Sequence, residues 1–146
     1  MNTNKVTARN LLDVRLILAV LWVAEVLSSL NGDTYRLSDP AVLKSFVANT
    51  GSMVVTPGLL LVMSLLFVGS IFMSVLTLTL KSRASRWANR IIGLFYAVVL
   101  FAFWVLTLVS LSAGQVGIYE IVWYTAQLVC ILLIVGYAWK WPNPEG

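Results

Sequence analysis

The chain has 146 residues, of which 60% are hydrophobic and only 11% charged, with a mean hydropathy of +0.89. A soluble domain is about 45–50% apolar and about 25% charged, so a water-exposed fold of ordinary composition is excluded. The net charge of +4 comes from bases clustered at the borders of apolar runs, which implies anionic lipid headgroups rather than nucleic acid as the partner.

A bilayer core about 30 Å thick needs about 20 apolar residues in helical form, since each residue advances about 1.5 Å. Lipid offers no partner for free backbone groups, so the crossing segments must be helices. Four stretches qualify: residues 12–30, 57–80, 91–111 and 118–141. The expected fold is an all-α membrane protein, one domain over residues 1–146, built as a four-transmembrane-helix bundle with both termini cytoplasmic.

Lys5, Arg9 and Arg15 precede the first span. A basic start before an apolar run resembles a signal peptide, but "SSLNGD" lacks a small-residue cleavage pattern, so a retained helix is expected. Asn31-Gly32 is the expected helix stop, because glycine tolerates the left-handed conformation that ends many helices. Within this span lies Glu25. Placed about 8 Å below the outer boundary by helix rise, it is expected to face protein or water.

The connection that follows contains "SDPAVLKSFVANTG". Asp39 before Pro40 is a helix-start signature, and Val42, Leu43, Phe46 and Val47 fall at helical spacing. A short amphipathic outer helix is expected here, either as an interfacial anchor or as a lid over a cavity. Thr56-Pro57 then opens the second span with a capping hydroxyl and a proline in the first turn.

The loop "KSRASRWANR" holds Lys81, Arg83, Arg86 and Arg90 with no acid. Bases in short loops are retained on the cytoplasmic side, so this loop faces inward, as do both termini and Lys140. Only Arg36 and Lys44 are left outside, opposed by Asp33 and Asp39. The cell inner membrane is the expected location, and the four bases of the loop are expected to meet lipid headgroups. Pro142 and Pro144 are expected to end the fourth span. Tyr119, Trp123 and Tyr124 mark the outer border and Trp87, Trp139 and Trp141 the inner one, whereas Trp22 and Trp104 lie deeper and need partners for their N–H groups.

There is no histidine and one cysteine, Cys130. Ordinary haem and zinc sites and an internal disulfide therefore have no ligands or partners, and no metal or other cofactor is expected. Cys130 is expected to be inert packing. The polar groups within the spans are more informative. Glu120, Tyr124 and Gln127 step by four and three along the last span and so share one face. With Glu25, Thr107 and Asp33 they make a candidate ligand site near the outer end. Ala24-x-x-x-Ser28, Ser70-x-x-x-Ser74, Gly93 and Gly136 are suited to close helix contacts, within one bundle or in a homo-oligomer.

The pieces "LWVAEVLSSLNGD", "VTPGLLL", "LTLKSRASRWANRIIGLFYAV" and "YAWKWP" resemble, in order and spacing, small four-helix bacterial and archaeal membrane proteins grouped as a domain of unknown function. Arg86-Trp87-Ala88-Asn89 is similar to that family's inner-loop motif, and Gly32-Asp33 to its Gly-Asp after the first helix. The resemblance implies a topology and no activity. Its members generally lack an acid matching Glu25. Ala24-Glu25-Val26 is separately similar to the first helix of small multidrug resistance transporters, a resemblance confined to that helix.

No nucleophile–base pair, metal cluster or phosphate-binding loop is visible. The expected function is accordingly non-enzymatic: binding of lipid, an apolar ligand or a membrane-protein partner. Two alternatives are a proton-coupled small transporter using Glu25, and a quinone- or lipid-linked membrane enzyme.

Overall fold

The computed structural model describes residues 3–50 and 55–141, and the side chains of those from Asp13 onward. The described chain is all-helical, with five helices: α1 (Thr3–Ser38), α2 (Pro40–Ala48), α3 (Pro57–Thr79), α4 (Ser82–Ser112) and α5 (Ile118–Lys140). Among the described residues α3, α4 and α5 are each long and apolar enough to cross a membrane, which marks a membrane protein. Pro142 and Pro144 lie outside the described residues.

Helix starts follow their local chemistry. Thr56 Oγ1 accepts from the Leu59 N–H at 3.2 Å, with Pro57 opening α3. Asp39 Oδ1 accepts from the Ala41 N–H at 2.9 Å ahead of Pro40. Asn49 ends α2 in the left-handed region at φ 52°, and its Oδ1 accepts from the Val55 N–H at 2.9 Å. None of the residues of α2 is buried.

Two expected boundaries are corrected. The helix does not stop at Asn31-Gly32 but runs on to Ser38. Gly32 serves close approach instead: a Cβ there would lie 3.1 Å from Trp123 Cβ, so α5 packs against its bare backbone. Tyr35, one turn on, stacks on Trp123 with centroids 5.6 Å apart. The basic stretch from Lys81 to Arg90 is also not a loop, because α4 begins at Ser82 and takes in all but its first residue. It contains no glycine or proline, and its alanines and arginines are good helix formers.

α1 packs on both α3 and α5, and α4 packs on α5, while α3 and α4 touch far less. The chain thus has a basic end, where α3 turns into α4 and α5 finishes, and an α2 end, where α1 finishes and α4 turns into α5. The packed core occupies the basic half: Leu18 and Trp22 of α1, Met73 of α3, Tyr96 and Leu100 of α4, and Ile131 and Ile134 of α5, closed off by Trp141. Trp141, expected at the inner border, caps the end of α5 and is turned into the core. It is only 4% exposed, whereas Trp87 and Trp139 stand outward.

Polar side chains fasten this half together. Trp22 Nε1 donates to Asn89 Oδ1 at 2.8 Å. Asn89 Nδ2 in turn donates to Thr77 Oγ1 at 3.0 Å and to the Ser85 carbonyl at 2.8 Å. Ser85 Oγ donates to the Thr77 carbonyl at 3.0 Å. Trp22, Thr77, Ser85 and Asn89 are all fully buried, so a single asparagine joins α1, α3 and α4. Two arginines cover helix ends whose last carbonyls lack partners within the helix. Arg15 donates to the Leu80 carbonyl at 2.7 Å, and Arg90 donates to the Ala138 and Trp139 carbonyls at 2.9 and 3.2 Å.

Candidate functional site

The α2 half is hollow. A cavity of about 420 Å³ lies between α1, α3, α4 and α5 and runs from mid-bundle to α2. Its blind end is set by Tyr96, whose hydroxyl donates to the Leu66 carbonyl at 2.5 Å across the space between α4 and α3. Tyr96 stands edge-on to Trp22, at 5.2 Å between centroids and 86°, so the floor rests on the packed core. Gly69 makes room for it, since a Cβ there would fall 2.5 Å from the Tyr96 hydroxyl.

The α1 and α5 walls carry the larger polar side chains, and the α3 and α4 walls are mostly apolar. Glu25, Ser29 and Asp33 line the cavity from α1 at successive four-residue steps, followed by Arg36. Met63 and Phe67 of α3 and Val99 and Phe103 of α4 face them. Tyr124 and Gln127 complete the lining from α5, and Tyr124 stacks on Phe103 with centroids 6.4 Å apart.

The expected site residues are thus divided. Glu25, Asp33, Tyr124 and Gln127 line this cavity, whereas Glu120 and Thr107 do not. Glu120 faces Arg36 instead, with Oε1 3.4 Å from Arg36 Nε, in a smaller groove beneath α2. Thr107 is buried and donates to the Phe103 carbonyl at 2.8 Å. Glu120, Tyr124 and Gln127 share a face by spacing, but the helix is turned so that its first acid meets the end of α1 rather than Glu25.

Arg36 is the hinge point of the mouth. Besides Glu120 it lies over the Phe46 ring at 5.1 Å, which seats α2 across the opening. Asp39 Oδ2 accepts from the Tyr119 hydroxyl at 3.2 Å, tying the start of α2 to α5.

At the blind end Glu25 is 5% exposed and its Oε2 has no hydrogen-bond partner. Beside it is Ser70, only 1% exposed. Ser70 lies within hydrogen-bonding reach of both Glu25 and Tyr96, although neither contact is well aligned. Spacing alone marks Ser70 as a small packing residue and gives no reason to single out Tyr96. The signal for both is tertiary.

The bases expected to meet headgroups fall into two groups. Lys81 and Arg83 are exposed, as lipid contact requires. Arg90 is committed to the end of α5, with its guanidinium also over the Trp87 and Trp139 rings at 5.7 and 5.4 Å. Arg86 is half-buried. Among the described residues no group of three or more His, Cys, Asp or Glu side chains could hold a metal ion. Comparison of the chain with known protein families, with curated proteins and with solved structures finds no match in any of the three.

Proposed function

We propose that the chain is an integral membrane protein of four crossings, its basic end cytoplasmic, that binds a small lipid or other apolar ligand in the cavity of its α2 half. The observation that carries this reading is the cavity: a hollow of about 420 Å³, mostly apolar on its α3 and α4 sides and with an acid at its blind end, in a size range typical of small-ligand sites.

α1 supplies the fourth crossing over residues 12–30. Leu16, Val20, Val23, Leu27 and Leu30 recur at steps of four and three, and all are exposed, a continuous apolar stripe suited to acyl chains. α2 lies as an amphipathic helix at the outer interface, with Leu43 and Val47 outward and Phe46 over the cavity mouth. The basic end faces the cytoplasm on the strength of Arg15, Lys81, Arg83, Arg86, Arg90 and Lys140.

Thiol labelling tests the orientation. In a Cys130→Ser background, cysteine at the exposed Ala84 is expected to resist an impermeant reagent in intact cells, and cysteine at the exposed Lys44 to react. The reverse pattern would invert the topology.

Photolabelling tests the site. A diazirine-bearing alkane in nanodiscs is expected to label the cavity-lining Val99 and Phe103 at least as strongly as the outward Val98 and Phe101. Met63→Trp, which fills the cavity, is expected to cut labelling of Val99 and Phe103 by about tenfold, equivalent to about 1.4 kcal/mol of binding. Labelling confined to Val98 and Phe101 would sink the proposal.

A proton-coupled transporter using Glu25 is the second reading, favoured by the acid at the blind end with one oxygen unbonded. It needs a path onward to the basic end. Trp22, Met73, Ile131 and Ile134, each at most 2% exposed, fill that path, which is why simple binding is preferred.

A further inference from the structure

We infer that the cavity loads sideways from the bilayer: a chain-bearing lipid of the outer leaflet passes its chain between α3 and α4, at Leu60 and Ser64, instead of entering from water past α2. The inference deepens the ligand-binding reading above and rests on it.

The cavity is fastened on one side and not on another. At the α2 end Arg36 lies over the Phe46 ring at 5.1 Å and faces Glu120 at 3.4 Å. The Tyr119 hydroxyl donates to Asp39 Oδ2 at 3.2 Å, and Asn49 Oδ1 accepts from the Val55 N–H at 2.9 Å. Water therefore meets a tied cover. Between α3 and α4 the bonds gather near the turn, at Thr77, Ser85 and Asn89. Farther along, the Tyr96 hydroxyl spans the gap to the Leu66 carbonyl, and beyond it, toward α2, no hydrogen bond joins the two helices among the described residues.

The rim on that side is open and mostly apolar. Leu60 and Ser64 line the cavity and are nonetheless exposed, Leu60 by 56%. They fall one turn apart on α3 and lead on to Phe67, while α4 contributes the half-buried Val99 and Phe103. Ser64 is small, and its hydroxyl donates to the Leu60 carbonyl at 2.8 Å, so its proton stays within the helix and does not bar an apolar chain. Outside the rim, Leu61, Leu65 and Val68 of α3 and Val98 and Phe101 of α4 are all exposed, a surface suited to acyl chains.

Depth matches the route. Pro57 opens α3, and Leu60, Ser64 and Phe67 follow at about 4 to 15 Å along the axis by helix rise. A hydrocarbon core about 30 Å thick puts that interval among the acyl chains of the leaflet on the α2 side, below its headgroups. Because α1 packs on α3 and α5, and α5 on α4, the opening lies opposite α1 and α5. A chain that passes it runs toward Tyr124 and Gln127 on the far wall.

The test uses the full chain in nanodiscs with two photoprobes, the diazirine alkane and a phosphatidylcholine bearing a diazirine midway along one chain. The phospholipid head stays in the leaflet, so its chain reaches the far wall only while it threads the opening. It is expected to label Tyr124 and Gln127, the latter only 5% exposed. Ser64→Trp is expected to cut this labelling about tenfold and to leave equilibrium labelling by the free alkane within about twofold, since the alkane needs passage through the opening and not residence in it. Leu60→Trp repeats the test at the second rim position and decides the matter if Ser64→Trp fails to fold. Leu61→Trp, outward and off the lining, is expected to change neither probe. Phospholipid labelling that neither rim variant reduces would overturn the inference, as would an equal loss of both probes in both variants, which marks a filled cavity. A second copy of the chain over the opening would shield Val98, Phe101 and the far wall from the phospholipid alike, and that outcome also overturns it. Far-wall labelling by the alkane alone removes the sideways route and leaves the cavity standing. If neither probe labels the cavity walls, the ligand-binding reading itself falls.

Discussion

Trp22→Ala is expected to lower stability by about 3 kcal/mol or more, the largest effect of any single substitution in the bundle. Trp22 is fully buried, stands edge-on to Tyr96 and donates to Asn89. Removing it opens a cavity in the packed half and strands part of the Asn89 side chain. In a bilayer the water-to-oil transfer component is weak, so most of the loss comes from forfeited packing. Trp22→Phe keeps the ring packing and is expected to cost only about 1 kcal/mol, the scale of one hydrogen bond between membrane helices. Trp104 is the control. It is half-buried and donates to Thr125 at 3.0 Å, so Trp104→Phe is expected to cost less than about 1 kcal/mol. Denaturation in detergent micelles gives all three values; a Trp22→Ala loss no larger than that of Trp104→Phe would contradict the placement of the core.

Asn89→Leu is expected to cost about 2 kcal/mol, since interhelical hydrogen bonds in membranes average about 0.6 and reach about 1.7 kcal/mol each, and this side chain makes two, to Trp22 and Thr77, besides the one to Ser85 within α4. Leucine is close in size, so little of the loss is cavity. The orphaned group is the Trp22 N–H, because Thr77 Oγ1 still has the Met73 carbonyl at 2.7 Å to donate to. A double-mutant cycle of Trp22→Phe with Asn89→Leu is therefore expected to show a coupling of about 1 kcal/mol. Additive losses would mean that the two side chains do not bond. Thr77→Val is expected to cost less than Asn89→Leu, because it breaks only one of the three asparagine contacts.

Helix starts in this chain are legible because their causes are local: Thr56-Pro57 and Asp39-Pro40 carry their own capping groups. Helix ends and charge roles are less so. Asn31-Gly32 has the composition of a stop, but the deciding partner, Trp123, is about ninety residues away along the chain. Arg15 and Arg90 read as border charges by position, yet each covers the open carbonyls of a helix remote in sequence. Trp22 announces a need for an N–H partner without naming Asn89.

The candidate site is legible in the same partial way. Spacing puts Glu120, Tyr124 and Gln127 on one face and marks Glu25 as an acid out of place. It cannot set the rotation of α5, which sends Glu120 to Arg36 and leaves Tyr124 and Gln127 to the cavity. Nor can it show that α3 and α4 touch so little that a hollow opens between them, or that Ser70 and Tyr96 meet Glu25 at its end.

Occupancy of that hollow is tested most directly by native mass spectrometry of the protein ejected from nanodiscs. The unmodified chain is expected to retain one small neutral adduct that Met63→Trp removes while thermal stability stays unchanged. Bare protein from both, or an adduct that survives the filled cavity undiminished, would contradict ligand binding at this site.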